Sequence, residues 1–424
     1  MPDTACLLRV PHTVKVFIVQ SCESLPRGLF YAFRTAPDVQ YQPYCDDFGP
    51  LNMSTPIRFV EQLQGEIAVA TEASCSQLVY AVPEGPRALS NAVMLLGSYM
   101  MLMEDLAPEQ ITARFAGIDW EHMEGFRDAT HAPADFLLSL ADCWSGLHRG
   151  RQLGWVARPS HAGSPFWGDI DVDNYEHDDD PLNGDLTEVV PGELFAFRGP
   201  QDLAGGALYQ DDALRFTRAF APAFYADTLK DAGVTDVVRL NEAHYDPAAF
   251  AAAGIRHHDL AFEDCTNPPG HVLTAFFRIV DAATGAVAVH CKAGLGRTGV
   301  LIAIHLMRSH GFTARGAMGW LRIMRPGSVI GSQQRFLCAL EEGIRHRRAA
   351  GRRAGLSASR SAPDLLRLIG AGDEPGPVEP LAARAAAAAS AAAAAAAAEL
   401  ARERAENVSA GQDSRSAAWI RAGW

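Results

Sequence analysis

The stretch that most limits how this chain folds is AVAVHCKAGLGRTGVLIAIHLM, residues 286–307. A short apolar run ends in His290 and Cys291, a turn with glycines at 294 and 296 follows, and an apolar segment of helical length begins near Val300. Such an order predicts a strand, a tight turn and a helix, with the strand buried on both faces as in a parallel sheet.

The neighbouring sequence extends this pattern. ELFAFR (193–198), TDVVRLN (235–241) and RHHDLAF (256–262) predict strands, and DDALRFTRAFAPAFYADTLKDAG (211–233) and HVLTAFFRIVDAA (271–283) predict helices, with further helices to Arg345. Alternating strands and helices argue for an α/β fold around a mostly parallel central sheet. The first half mixes elements in the same way, with strands expected at VKVFIV, EIAVAT and QLVYAV and helices at LSNAVMLLGSYMMLM and ADFLLSLADCWSGLHRG. GLFYAFR (28–34) echoes GELFAFR (192–198), and LVYAVPEGPRALSNAVMLLG echoes the strand–turn–helix unit, which suggests duplication. The first copy carries Pro83, Glu84 and Gly85 at its turn and has no Cys-x5-Arg, so it lacks the chemistry of the second. The polar, acidic stretch PSHAGSPFWGDIDVDNYEHDDDPLNGDL reads as a linker. The expected organisation is a non-catalytic domain over 10–160, the acidic linker over 161–186, a catalytic domain over 187–346, and an Ala-rich, low-complexity tail over 347–424 expected to be disordered.

Composition bounds the partners. A formal charge of −13 argues against general binding to nucleic acid or anionic membranes. The start of the chain lacks the charged and apolar regions of a signal peptide. Only the alanine tract near the C-terminus approaches the roughly 18 apolar residues of a membrane span, and it is too weakly hydrophobic, so a soluble protein is expected. The eight cysteines are scattered without CxxC pairs, which points to free thiols in a reducing compartment and no zinc site. No metal or organic cofactor is expected, and the oligomeric state is left open.

The turn has the layout of a phosphate cradle. Gly294 and Gly296 let the backbone curl so that the N–H groups of Lys292, Ala293, Gly294, Leu295 and Gly296 converge, and the helix start adds its unpaired N–H groups and positive dipole end. Arg297 offers a two-pronged donor to a tetrahedral oxyanion. Helix starts and cations lower a cysteine pKa from about 8.5 towards 3.5–7.5, so Cys291 is expected to rest as a thiolate nucleophile. His290 orients the loop through its ring N–H, and Thr298 donates its hydroxyl to the departing thiolate. Phosphoryl transfer through a phosphocysteine also needs an acid and a base. Asp264 in AFEDCTNPPG is the best candidate, Glu263 its rival, and Gln333 and Gln334 are candidates to position water. His257 and His258 read as structural or surface residues, and EHDDD is as easily a solvated charge run as a site. A Walker loop is excluded, because Gly-Lys-Ser/Thr is missing.

His-Cys-x5-Arg-Thr-Gly resembles the protein tyrosine phosphatase superfamily. With VVRLN, WLRIMRPGSVIGSQQ, DVDNYEHDDD, PGELFAFRGP, DFGPLN and FRDA, residues 10–345 are similar to the cell-division-cycle-fourteen dual-specificity phosphatases of mitotic exit. The resemblance implies two tandem dual-specificity-phosphatase-like domains joined by a linker helix, only the second being catalytic. It implies hydrolysis of phosphoserine and phosphothreonine followed by proline and basic residues, and of phosphotyrosine, opposing cyclin-dependent kinases. The nucleophile falls on Cys291, the phosphate-binding arginine on Arg297 and the general acid on Asp264. The acidic groove that selects downstream Lys or Arg falls on Glu176, Asp179 and Asp185. Asp179 replaces the usual Glu, Glu263 the usual apolar residue, and Cys265 a glycine. The resemblance further implies residence in nucleus and cytoplasm, with nucleolus, spindle or centrosome as stations; the basic RHRRAAGRRAG (345–355) is a nuclear address or a solvated run. Two rivals remain: a phosphoinositide phosphatase, disfavoured by Leu295 where a lipid-phosphatase loop has a second lysine, and a pseudophosphatase that binds phosphoproteins without turnover.

Overall fold

The computed structural model describes residues 8–9, 14–20, 28–35, 41–118, 120–161, 163–212 and 217–353. In the N-terminal half, strands β1 (Leu8–Arg9), β2 (Lys15–Val19), β3 (Tyr31–Phe33) and β4 (Gln77–Ala81) form a sheet in the order β1-β2-β4-β3. β2 and β3 both run parallel to β4, and β1 pairs antiparallel at the edge. Helices α1 (Ser54–Glu72), α2 (Pro86–Glu104), α3 (Pro108–Arg114) and α4 (Leu140–Gln152) complete this half. EIAVAT, expected as a strand, is the end of α1. Its alternation is local: Ile57, Val60, Leu63, Ile67 and Ala70 recur every three or four residues and form one core-facing stripe.

The acidic linker is ordered. A short antiparallel pair, β5 (Phe166–Trp167) and β6 (Ile170–Asp171), leads into α5 (Val172–Asp179), the linker helix that the resemblance implies. Asp171 caps this helix by accepting from the backbone N–H groups of Asp173 and Asn174. The buried hydroxyl of Tyr175 donates to Met324 O at 2.6 Å and accepts from Met53 N at 3.3 Å, tying the linker to both halves.

The C-terminal half contains β7 (Leu186–Val190), β8 (Leu194–Phe197), β9 (Tyr209–Asp212), β10 (Thr217–Phe220), α6 (Pro222–Asp231), β11 (Val234–Arg239), α7 (Ala248–Ala252), β12 (Arg256–Asp259), α8 (Gly270–Ala282), β13 (Ala286–His290), α9 (Gly296–Ser309), α10 (Ala314–Met324) and α11 (Ser332–Arg353). The sheet order is β12-β11-β13-β8-β7, parallel except for β7, with β13 buried throughout at its centre. The helix expected from residue 211 begins only at Pro222, and the stretch before it holds β9 and β10. Pro222 biases Ala221 away from helical angles, and Ala221 is indeed extended, so the helix has to start there. At the other end α11 continues to Arg353, beyond the boundary expected at residue 346, while the Ala-rich tail lies outside the described residues.

Both sheets are entered in the same way. The first parallel strand (β2 or β8) takes one flank, the second (β3 or β11) the other, and the third (β4 or β13) lies between them. Each third strand then leads through a turn into a long helix, α2 or α9. GLFYAFR and GELFAFR fall on β3 and β8, strands of different rank, so that echo is not positional, whereas the strand–turn–helix echo is. The halves share one apolar core and meet where α4 packs on α10. A Cβ on Gly146 would lie 2.4 Å from Gly316 O, and one on Gly319 would lie 2.7 Å from Asp142 O, so the seam requires glycine on both helices.

Candidate active site

β13 delivers Cys291 to the cradle, where it is 3% exposed. Gly294 takes a φ of +70°, and a Cβ there would lie 2.2 Å from Phe197 O, so only glycine fits the bend. Lys292 and Ala293 are exposed; Gly294, Leu295 and Gly296 are buried, and α9 starts at Gly296. Arg325, which the sequence reading left without a role, holds this loop from behind. Its Nε donates to Gly294 O at 3.0 Å and an Nη donates to Ala293 O at 3.2 Å. It also donates to Asp185 O and Thr187 Oγ1, and pairs with the Asp185 carboxylate at 2.6 Å. In a trans peptide C=O and N–H point opposite ways, so carbonyls gripped from behind turn the N–H groups of Gly294 and Leu295 towards the anion side. An arginine followed by Pro-Gly at a helix end was the available signal.

Arg297 is 2% exposed, and one Nη donates to Phe262 O at 2.9 Å and Leu240 O at 3.3 Å. Its Nε lies 3.1 Å from Asp264 Oδ1. The N–H is not aligned with that oxygen, so the contact is an ion pair and Nε keeps its donor for an anion. The structure thus brings Asp264, more than half exposed on its loop, to the guanidinium of the cradle. Glu263 is exposed on the same loop, and its carbonyl accepts from the Thr266 hydroxyl. Cys265 takes a φ of +60°, a left-handed conformation that glycine adopts more readily. Gln333 is fully buried and donates to Thr266 O at 3.0 Å, linking α11 to the acid loop. Gln334 is turned away from water positioning: its Oε1 accepts from the buried Arg322 at 2.7 Å.

His290 is fully buried, and burial pushes its pKa down to about 3, so the ring is neutral. Nδ1 faces Cys291 O at 3.0 Å and must carry the proton, so Nε2 accepts from Tyr245 OH at 2.7 Å. Tyr245 in turn accepts from His257 Nε2 at 2.8 Å, which makes the half-buried His257 a structural support. His258 binds Asp236 at 2.7 Å, away from this chain of bonds. The Thr298 hydroxyl is buried and has no partner among the described residues.

A cavity of about 790 Å³ opens beside the cradle, lined by Tyr44, Arg58, Glu176, Asp179, Asp185 and Arg325 among others. None of residues 291–297 lines it; Arg325 is the wall the two share. The three groove carboxylates converge here but differ in state. Glu176 is paired with Arg58 at 2.8 Å, and Asp185 is buried against Arg325. Asp179 accepts from Asn52 at 3.0 Å and Thr187 at 3.3 Å. Burial pushes its carboxyl up to about 6, against the opposing pull of Asn52 and Arg325. In the same run His177 and Asp178 pair with each other on the outside, so only part of EHDDD is a solvated run.

A family model described as the N-terminal half of dual specificity protein phosphatases matches residues 16–150. A second, described as a DSP-PTPase phosphatase of polymorphic toxin systems, matches residues 214–311. The dual specificity protein phosphatase CDC14C of Symphalangus syndactylus is 32% identical over 79% of this chain and 66% of its own length. The chain belongs to the CDC14 dual-specificity phosphatases. Tyrosine-protein phosphatase cdc-14 of Caenorhabditis elegans is 34% identical over 70% of this chain and 40% of its own. The CDC14 homologue of Schizosaccharomyces pombe is 35% identical over 72% and 55%. The chain therefore spans between two fifths and about two thirds of these relatives. Among solved structures, Tk-PTP in its active form is 24% identical, covering 37% of this chain and 95% of that one with a TM-score of 0.29.

Proposed function

We propose that this CDC14-family chain is a cysteine-dependent protein phosphatase acting in the cell cycle. The observation that carries the reading is the convergence of Cys291, the Arg297 guanidinium and the Asp264 carboxylate, 3.1 Å from that guanidinium, on one glycine-built cradle. Arg297 and the loop N–H groups hold the phosphate, and the Cys291 thiolate attacks phosphorus while Asp264 protonates the leaving oxygen. The phosphocysteine is then hydrolysed: water attacks phosphorus, Asp264 takes its proton, and the freed thiolate accepts a hydrogen bond from Thr298.

The proposed substrates are phosphoserine and phosphothreonine before proline with Lys or Arg downstream, and phosphotyrosine. The groove supports the basic preference, since Glu176, Asp179, Asp180 and Asp185 face only Arg58 and Arg325 among its lining cations. This activity would oppose cyclin-dependent kinases at mitotic exit, in nucleus and cytoplasm and at nucleolus, spindle or centrosome. The test is hydrolysis of a phosphopeptide library beside phosphotyrosine peptides and phosphoinositides. The reading expects phosphoserine-proline peptides with downstream basic residues to turn over fastest. Preference for a phosphoinositide, or binding of phosphopeptides without turnover, would replace it.

A further inference from the structure

On the side of the catalytic half away from the cradle, three side chains from separate segments meet. Glu193 precedes β8, His305 lies on α9, and His310 follows that helix. The Nε2 atoms of both histidines face the same oxygen, Glu193 Oε2, at 2.8 Å and 3.1 Å. All three donor atoms lie within 4.8 Å of one another. We propose that Glu193, His305 and His310 form a binding site for a divalent transition-metal ion, with Zn2+ as the fitting species.

Two imidazole nitrogens and one carboxylate oxygen, with open space for water, are the donor set of a four-coordinate zinc ion. Ion-to-ligand distances of about 2.0–2.2 Å need donors about 3.3 Å apart, so Oε2 has to move back from each ring by a fraction of an ångström, and the two ring nitrogens, within 4.8 Å of each other, have to settle at that same separation. The rings are already held. His305 is nearly fully buried on α9, and His310 packs edge-on against Trp155 with centroids 4.8 Å apart. The His310 carbonyl also accepts from Arg149 Nε at 2.7 Å. The Glu193 side chain is 43% exposed, which gives an ion its way in and leaves room for a water ligand. Nitrogen donors favour Zn2+, Cu2+, Ni2+ or Co2+ over Ca2+ and Mg2+. The ion would sit about 14 Å along α9 from its start and take no part in phosphoryl transfer. Trp155 and Arg149 belong to the N-terminal half, so the ion would sit beside the seam between the halves, with all its protein ligands in the C-terminal one.

Metal at His305 Nε2 moves that ring's proton to Nδ1, which is buried without a partner. Missing outer-shell partners weaken metal sites by about 10–100-fold, so micromolar affinity is expected rather than nanomolar.

The test is calorimetric titration of the metal-stripped full chain with Zn2+, in a Cys291→Ser background that removes the cradle thiolate. Co2+ absorption reports the ligands. One ion per chain, without a thiolate-to-cobalt band, is expected, with at least a tenfold loss of affinity in both Glu193→Gln and His310→Ala. Glu193 is exposed enough that its variant folds even if the other fails. Absence of binding at about 1 mM Zn2+ overturns the proposal, as does unchanged affinity in either folded variant.

Discussion

The two strand–turn–helix units of this protein occupy equivalent places in their sheets and are held by different side chains. In the first, the side chain of Gln20 donates to Pro83 O and Gly85 O at 2.8 and 2.9 Å, and Pro86 opens α2. The carbonyls of that turn are therefore held by a neutral amide of the chain itself. In the second, Arg325 takes the carbonyls of Ala293 and Gly294 from behind and leaves the N–H side free for an anion. The first turn is a structural joint, and the second also presents a receptor. In both a side-chain donor satisfies peptide carbonyls; they differ in the donor, a neutral amide against a guanidinium, and in that only the second turn carries Cys291 and Arg297.

The largest test of this comparison is Cys291→Ser. It should lower phosphopeptide hydrolysis by on the order of 10⁴-fold or more while phosphopeptide binding persists. Residual turnover near the wild-type rate would mean that chemistry resides elsewhere, the first turn included. Asp264→Asn is expected to lower kcat on phosphopeptides by roughly 10²–10⁴-fold, with a far smaller loss on an aryl phosphate whose leaving group needs little protonation. Equal losses on both substrates would transfer the acid role to Glu263.

The two turn fillers should separate in thermal unfolding. Arg325→Ala leaves the Asp185 carboxylate buried without its partner and should cost about 3–5 kcal/mol, together with activity. Gln20→Ala should cost about 0.5–1.5 kcal/mol and leave activity unchanged. Similar effects from both would erase the distinction between joint and receptor. The smallest expected effect concerns Asp179. With its carboxyl raised to about 6, the groove gains negative charge as pH rises from 5 to 7. The preference for a downstream Lys over a neutral residue should therefore rise severalfold across that window and stay flat in Asp179→Asn. The sign for stability is opposite. The folded state holds this proton more tightly than the unfolded chain, so its contribution is full below about pH 4 and is lost as pH passes 6.

The parts of the fold and site legible in the sequence were those that neighbouring residues determine. Gly294 announces a backbone bend, the run before it a buried strand, and Tyr175 with its acidic neighbours a helix in the linker only through resemblance. EIAVAT misled because six residues can alternate inside a helix whose stripe, from Ile57 to Ala70, is visible only over a longer window. The helix expected from residue 211 misled because its composition ran past Pro222, which biases Ala221 away from helical angles, and β10 occupies Thr217–Phe220 before it. Long-range partners left no local mark. Arg325 meets the cradle across 31 and 32 residues, and His305 meets Glu193 across 112. Cysteine spacing indicated no zinc site, yet it carried no information about ligands that only the packing of β8 and α9 brings together.

The glycine seam between α4 and α10 and the double contact of Tyr175 mean that the halves are joined by tertiary structure as well as by the peptide chain. A protease nick near the exposed Ser160 would then yield a two-fragment enzyme rather than two separated domains. For the same reason, neither half is a self-contained module: a fragment carrying only the catalytic half would expose Trp320 and the glycine face of α10, surfaces that natively pack against α4. The first copy is in this sense the surface on which the second packs.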